Sequence, residues 1–238
     1  MKVVLHVMIL LMAIVCADRC NGQQQPMFTQ YMFNGLVLNP AYAGAQEIFT
    51  ATAIMRRQWA GVPGAPQTQT FSAHSPLDDL RTARRGRSPI SLGATLFHDQ
   101  IAITSHTGLL VSYAYRIRFS SVSSLSMGLQ AGASYYSIRY SDLEVDDPAF
   151  AMGDATQWQG EFGAGVYYRH ENFFSGLSAP QMLRPKDAAN TYAVAFAPHL
   201  FLAMGYVFDV GASLKVKPHV LLKNYKGTLN QVDINCNA

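Results

Sequence analysis

Apolar and polar residues alternate with a period of two along most of this 238-residue chain. From Leu125 to Tyr135 the odd positions are apolar or aromatic, and the even positions are Ser, Gly or Gln. Successive side chains of a β-strand point to opposite faces of a sheet, so the pattern predicts strands with one apolar face and one small or polar face. About ten such strands are predicted, over residues 48–58, 67–76, 90–97, 106–119, 124–140, 159–169, 172–178, 197–208, 213–223 and 228–237.

The connections between the predicted strands differ in length. "SSVSS" (120–124) and "HEN" (170–172) are predicted to be tight turns, whereas "FHDQIAITS" (97–105) is predicted to be a longer connection. Tight turns at one rim and longer loops at the other are typical of outer-membrane barrels.

The composition of the face opposite the apolar one distinguishes a membrane barrel from a soluble β-sandwich. The solvent face of a sandwich is usually rich in Lys, Glu and Thr, whereas here that face is mostly Gly, Ser, Ala and Gln. The pattern therefore favours an all-β fold, a transmembrane antiparallel β-barrel. Aromatic residues near strand ends are predicted to form girdles at the two membrane interfaces: Tyr113, Tyr115, Tyr135, Tyr136, Tyr140, Tyr167, Tyr168, Phe173, Phe174, Tyr206 and Phe208.

Composition agrees with this interpretation. Charged residues make up 14% of the chain, against about 25% in ordinary globular domains. The formal net charge is only +3, and the basic residues are scattered apart from one loop. A nucleic-acid partner is therefore not expected.

The chain begins with a predicted export signal. Residues 3–16 are a nearly continuous apolar run, too short to span a bilayer as a helix but suited to a signal peptide. We expect a cleaved signal peptide over residues 1–22, cut between Gly22 and Gln23, with a cut after Ala17 as the alternative. Residues 23–47 then form an N-terminal segment.

Residues 48–238 form the predicted barrel domain. The sequence stops on an alternating stretch, "QVDINCNA", that has no closing aromatic residue. Since a sheet edge in lipid leaves unpaired backbone groups, a membrane barrel must close. Ten strands could close as an even-numbered barrel, but we expect the visible strands to be an incomplete part of a longer barrel.

Candidate catalytic and metal-binding residues are few. The seven His residues form no pair at metal-ligand spacing, and the acidic "DLEVDD" (142–147) lacks the Gly and the terminal Glu of a calcium-binding EF-hand loop. Ser72 and His74 lie two apart on one predicted strand and are the candidate pair for a barrel hydrolase. No catalytic residue, cofactor or metal ligand is assigned.

Two stretches near the N-terminus carry a family resemblance: "QPMFTQYMFNGLVLNPAYAGA" at 25–45 and "RRQWAGVPGAPQTQTFSAHSPL" at 56–77. They resemble the N-terminal region of the PorP/SprF family of outer-membrane proteins of the Bacteroidetes type IX secretion system. Weaker similarity continues to "QVDIN" at 231–235, beyond which family chains add several strands. The motif residues are Phe28, Thr29, Gln30, Tyr31, Phe33, Asn34, Asn39, Pro40, Tyr42, Gly44, Arg57, Gln58, Trp59, Gly64 and Pro66.

The resemblance implies a role in protein export and, in some bacteria, gliding motility, and no reaction. It implies protein partners, namely the secretion core or exported adhesins, besides outer-membrane lipid. Pro40 would fix the backbone and Gly44 would allow a turn before the first strand. The rings of Phe28, Tyr31, Phe33 and Tyr42 would then pack inside or under the barrel mouth, as a plug or as a docking element.

Two other functions stay open at this point. A passive channel predicts ion conductance in planar bilayers, which a plugged lumen would not show. A barrel hydrolase predicts lipase activity that depends on Ser72 and His74.

Overall fold

The computed structural model describes residues 31–77, 88–142, 153–183, 198–210, 214–225 and 228–237, and most of them lie in one antiparallel sheet. The predicted signal peptide (1–22) and the first part of the N-terminal segment lie outside the described residues. The eleven strands are β1 (Thr50–Arg57), β2 (Gln67–Pro76), β3 (Ile90–Ile101), β4 (Thr104–Arg118), β5 (Ser123–Ile138), β6 (Ala155–His170), β7 (Phe173–Ala179), β8 (His199–Tyr206), β9 (Phe208–Val210), β10 (Leu214–Tyr225) and β11 (Thr228–Asn237).

From β1 to β8, each strand pairs with the next one in sequence, so the sheet is a meander. The order is β1 to β8, then β10 and β11, while the three-residue β9 pairs with β10 beside this path. In the described part of the chain, β1 and β11 are the two edges and do not pair with each other. The predicted all-β antiparallel fold is confirmed.

The two faces of the sheet have opposite character. From Gly108 to Ile117 in β4, buried and exposed residues alternate strictly, and the exposed ones are apolar or aromatic. Val111 is 54% exposed, while the neighbouring Ser112 is fully buried. A sheet in a soluble protein buries its apolar rows instead. We call the face with the buried small and polar residues the inner face, and the apolar face the outer face.

Polar residues on the inner face explain one wrong prediction. The predicted longer connection at 97–105 is a two-residue turn at 102–103, because β3 continues to Ile101 and β4 begins at Thr104. Asp99 belongs to the ladder and accepts a hydrogen bond from Thr68 Oγ1 at 2.5 Å on β2. Because the inner face of this sheet is polar, polar residues such as Asp99 lie within a strand and do not indicate a loop.

Aromatic side chains cluster at both ends of the outer face. At one end the rings of Tyr168 and Phe173 lie 6.4 Å apart, and those of Tyr206 and Phe208 lie 4.6 Å apart. At the other end Trp158 packs 5.0 Å from Tyr135.

Three of the predicted girdle residues face the other way. Tyr167, Phe174 and Tyr136 lie on the inner face, where Tyr167 stacks on Phe174 and Tyr136 contacts His106. In pairs such as "YY" and "FF", the period of two sends one ring to each face. The girdle prediction was therefore wrong for these three residues.

The sheet has two rims. The first rim holds the start of β1 and the turns at 119–122 and 171–172, and these confirm the predicted tight turns. The second rim holds the loop at 58–66 and the turn at 102–103.

Candidate functional site: the inner segment

Residues 34–47 lie against the inner face and are called the inner segment. This segment runs through a four-residue α-turn, α1 (Gly35–Leu38), and a 3₁₀ turn at Pro40–Tyr42, and then leads into β1. It contacts β4, β5 and β6 at the centre of the sheet. The described part of the predicted N-terminal segment therefore occupies the space in front of the inner face.

The "NPAY" motif determines the local shape of the segment. Asn39 Oδ1 accepts a hydrogen bond from the Ala41 backbone N–H at 2.9 Å and so caps the 3₁₀ turn. Pro40 occupies the first position of that turn, where its missing N–H and fixed φ cost nothing. The Asn39 N–H closes α1 by donating to the Gly35 carbonyl at 3.0 Å.

Asn39 also attaches the segment to the sheet. Its Nδ2 donates to the Val166 carbonyl of β6 at 2.9 Å. A Cβ added at Gly176 would lie 2.8 Å from Asn39 Nδ2, and one added at Gly165 would overlap Asn39 Oδ1. The two glycines, on neighbouring strands, provide the space into which the amide fits.

Two further inner-face glycines lie under the segment. A Cβ at Gly128 would lie 2.5 Å from Ala41 Cα, and one at Gly93 would lie 2.9 Å from Leu36 Cδ2. Since glycine weakens a strand, its presence at such points marks the close approach of another part of the chain. The small inner face is thus shaped to hold the inner segment.

Two leucines anchor the segment through apolar contacts. Leu36 packs in a buried cluster with Ala43 and Ala114, and Leu38 packs with Phe201 and Leu221. Burial of each leucine contributes roughly 1.5–3 kcal/mol. The Leu38 carbonyl also accepts a hydrogen bond from Ser178 Oγ at 2.6 Å.

Tyr42 lies between two strands of the inner face. Its ring meets those of His74 and Tyr167 edge-on, at centroid distances of 5.8 and 5.4 Å. Burial raises the pKa of the Tyr42 phenol, so the hydroxyl stays protonated at neutral pH.

The end of the inner segment is held by charged groups. Arg116 donates to the Gly44 carbonyl and forms an ion pair with Glu47 at 3.0 Å. Arg118 reaches the same Glu47 oxygen at 3.1 Å, and Arg169 donates to the Ala45 carbonyl at 3.3 Å. Gly44 has a φ of +69°, a backbone conformation that glycine adopts readily, so the predicted turn residue lies at a real turn.

Ser72 and His74 hold the segment as well. Ser72 Oγ donates to Asn34 Oδ1 at 2.7 Å, and His74 Nδ1 accepts from the Gly44 N–H at 3.0 Å. Both side chains thus form hydrogen bonds with the inner segment. A nucleophile–base pair would instead require a hydrogen bond between Ser72 and His74.

The structure brings part of the predicted motif together. Asn34, Asn39, Pro40, Tyr42 and Gly44 all lie in the inner segment. Phe33 differs from the expectation, because its side chain is 63% exposed instead of packed inside. Phe28, Thr29 and Gln30 lie outside the described residues, and of Tyr31 only the backbone, in a 3₁₀ turn, is described.

The second half of the motif lies elsewhere. The residues Arg57, Gln58, Trp59, Gly64 and Pro66 belong to the end of β1 and the 58–66 loop at the second rim. This loop is closed by hydrogen bonds from the Gln58 N–H to the Pro66 carbonyl and from the Ala102 N–H to the Gly64 carbonyl. The length of β1, roughly 23 Å at 3.3 Å per residue, separates it from the end of the inner segment. The two halves of the motif therefore lie at two separate places in the structure.

Several residues of the site are not indicated by any pattern in the sequence. Arg116, Arg169 and Ser178 are single polar residues in strands, with no motif around them. The inner-face glycines carried a usable signal, because they repeat at the small positions of the period-two pattern.

The described residues contain neither a cluster of metal-binding side chains nor a helix that could span a membrane. No three His, Cys, Asp or Glu side chains there lie close enough to hold a metal ion. None of the described helices is long and apolar enough to cross a bilayer. Within the acidic "DLEVDD" stretch, only Asp142 is described, and it pairs with Arg139 at 3.2 Å.

The fold and the site together define a membrane-type all-β protein: an antiparallel sheet with an apolar outer face and a polar inner face covered by the chain's own N-terminal segment. The sequence matches the family described as type IX secretion system membrane protein PorP/SprF over residues 20–238. The chain therefore belongs to the PorP/SprF family, and the resemblance of its motifs is confirmed. No curated protein and no solved structure matches the chain.

Proposed function

We propose that this protein is a non-enzymatic outer-membrane component of the type IX secretion system that aids export or surface anchoring of specific proteins, including adhesins and parts of the gliding machinery. It does so through protein–protein contacts. The observation that carries the proposal is the inner segment: the chain's own residues occupy the inner face through Asn39, Leu36, Leu38 and Tyr42. Such an interior suits binding better than free passage of solutes.

The apolar outer face supports the proposal that the sheet spans an outer membrane. Trp158 and Tyr168 lie ten residues apart on the outer side of β6, each beside another ring. Ten residues span roughly 33 Å along a strand. At a strand tilt of about 40° this corresponds to about 25 Å along the membrane normal, which matches the height of the apolar band of outer-membrane barrels. Exposed apolar side chains fill the distance between the rings.

A charge placed in the middle of the outer face tests the contact with lipid. Leu129 lies midway between the two ends of β5, and we expect Leu129→Arg to destabilise the folded protein by about 2–4 kcal/mol. Thr156→Arg is the matched control, since Thr156 lies beyond the Trp158 ring, where the cost is about 0–1 kcal/mol. Urea unfolding in lipid vesicles measures both values.

Equal stability of the two variants would mean that the outer face does not contact lipid. A soluble protein would gain solubility from Leu129→Arg and lose little stability.

The proposed partners are secretion-core components and exported proteins. The experiment is affinity purification of the protein from outer membranes, followed by mass spectrometry. We expect recovery of secretion components or of a large exported adhesin. Recovery of neither, with the protein itself intact and abundant, would contradict the proposal.

A further inference from the structure

A polar pocket of about 550 Å³ opens at the first rim, beside the end of the inner segment. Glu47 of that segment forms one wall, Arg118 and Arg169 form others, and the turns at 119–122 and 171–172 complete it. The volume is within the range of small-ligand and peptide side-chain sites, roughly 300–1,000 Å³.

Hydrogen-bond donors dominate the lining. Four serines and Asn172 line the pocket together with the two arginines. Arg169 uses one of its five N–H donors, on the Ala45 carbonyl, among the described contacts. Arg116 adds a third guanidinium group directly behind Glu47, so cations outnumber the carboxylates Glu47 and Glu171. An anionic ligand suits such a site.

Glu47 shows which anion the site accepts. Its Oε1 alone receives both Arg116 at 3.0 Å and Arg118 at 3.1 Å. A carboxylate is therefore already bound to these two arginines, and another carboxylate could replace it.

We propose that this pocket binds an Asp or Glu side chain of a partner polypeptide, which displaces Glu47 from Arg118 and pairs with Arg169. The exchange would loosen the end of the inner segment, because Glu47 loses its bond to Arg118 and the ligand competes with the Ala45 carbonyl for Arg169. The inference rests on the proposed function as a protein-binding component and adds where and by what chemistry the partner is recognised.

A polypeptide fits better than a lipid headgroup. The pocket is formed on the inner segment rather than on the apolar outer face, where lipid phosphates would lie. The serine and asparagine residues of the lining can hydrogen-bond the backbone groups that flank an acidic side chain. Inorganic phosphate serves as the competitor that separates the two chemistries.

Binding of a fluorescein-labelled peptide, Gly-Ser-Glu-Glu-Ser-Gly, to the purified full chain in detergent tests the proposal by anisotropy. We expect Arg118→Gln and Arg169→Gln each to weaken binding about tenfold, since each removes a charge-assisted hydrogen bond. Glu47→Gln should tighten binding, because it removes the internal competitor. Arg139→Gln, at the second rim, is the matched control and should leave binding unchanged.

The Glu47→Gln result is the most discriminating. A merely structural Glu47 would give unchanged or weaker binding when neutralised, and that outcome would overturn the proposal. So would equal binding of the Gln-for-Glu peptide, or displacement of the peptide by equimolar phosphate. If affinity purification recovers secretion components while the peptide does not bind, only this inference fails; the reverse result would contradict the proposed function and leave the pocket assignment standing.

Discussion

Gly128→Val is expected to force the inner segment off the sheet. A Cβ at this position would lie 2.5 Å from Ala41 Cα and closer still to the Ala41 nitrogen, so backbone rather than a flexible side chain stands in its way. The segment cannot shift locally, because Asn39 is bonded to β6 and Leu38 is buried against β8 and β10. Overpacking of this kind costs about 3 kcal/mol, which corresponds to about a hundredfold faster hydrogen exchange of the segment's amides.

Hydrogen exchange read by mass spectrometry at residues 39–45 measures this effect. Several of these amides donate within the segment or to His74, so their protection reports its docking. Gly160→Val is the matched control, since a Cβ at Gly160 on β6 meets nothing within 4 Å. The released segment should also give Gly128→Val an ion conductance in planar bilayers that the wild type lacks. Unchanged exchange in Gly128→Val would mean that the segment does not occupy the inner face.

The strands could be predicted from the sequence because their signal is local. The period of two in β4 and β5 needs no tertiary information, and it also separates the two faces. The ends of strands are harder to predict. Asp99 and Gln100 look like loop residues until Thr68 and Ser105 are known to lie beside them.

The inner segment could be predicted only in part. Asn39, Pro40 and Gly44 signal a turn by their own chemistry, whichever structure surrounds them. Their partners come from far along the chain: Val166 lies 127 residues from Asn39, and Arg116 lies 72 residues from Gly44. A single sequence gives no information on such distant pairs. The inner-face glycines that contact the segment and the arginines that bind its end are therefore recognisable only in the folded structure.

The exposed ring of Phe33 shows the same limit. An aromatic residue in an irregular segment predicts burial, yet the neighbouring Asn34 is the one that is buried, where it accepts the Ser72 hydrogen bond. In a sheet with a polar inner face, the residue that best matches the face is the one with hydrogen-bonding groups.

Asn39→Asp is expected to undock the inner segment at neutral pH although it changes a single atom. Aspartate keeps the oxygen that accepts from the Ala41 N–H but loses the donor to the Val166 carbonyl, and places a carboxylate oxygen 2.9 Å from that carbonyl oxygen. Asn39 is 7% exposed, so the charge would be buried and unpaired. We expect the free energy of docking of the inner segment to fall by about 3 kcal/mol, which again corresponds to about a hundredfold faster hydrogen exchange of the segment's amides.

The effect should reverse with pH, which a simple packing defect would not do. Burial and the facing carbonyl raise the pKa of the introduced carboxyl in the docked state above its value when undocked, so the docked state binds the proton more tightly. Docking is then strengthened as pH falls and weakened as pH rises through the raised pKa. The protonated acid can donate to Val166 as the amide does. We expect the ratio of variant to wild-type exchange rates to drop between pH 7 and about pH 5. Asn237→Asp, at the end of β11 and away from the inner segment, should show a ratio near one at both pH values. A pH-independent ratio in Asn39→Asp would contradict the assigned hydrogen bond.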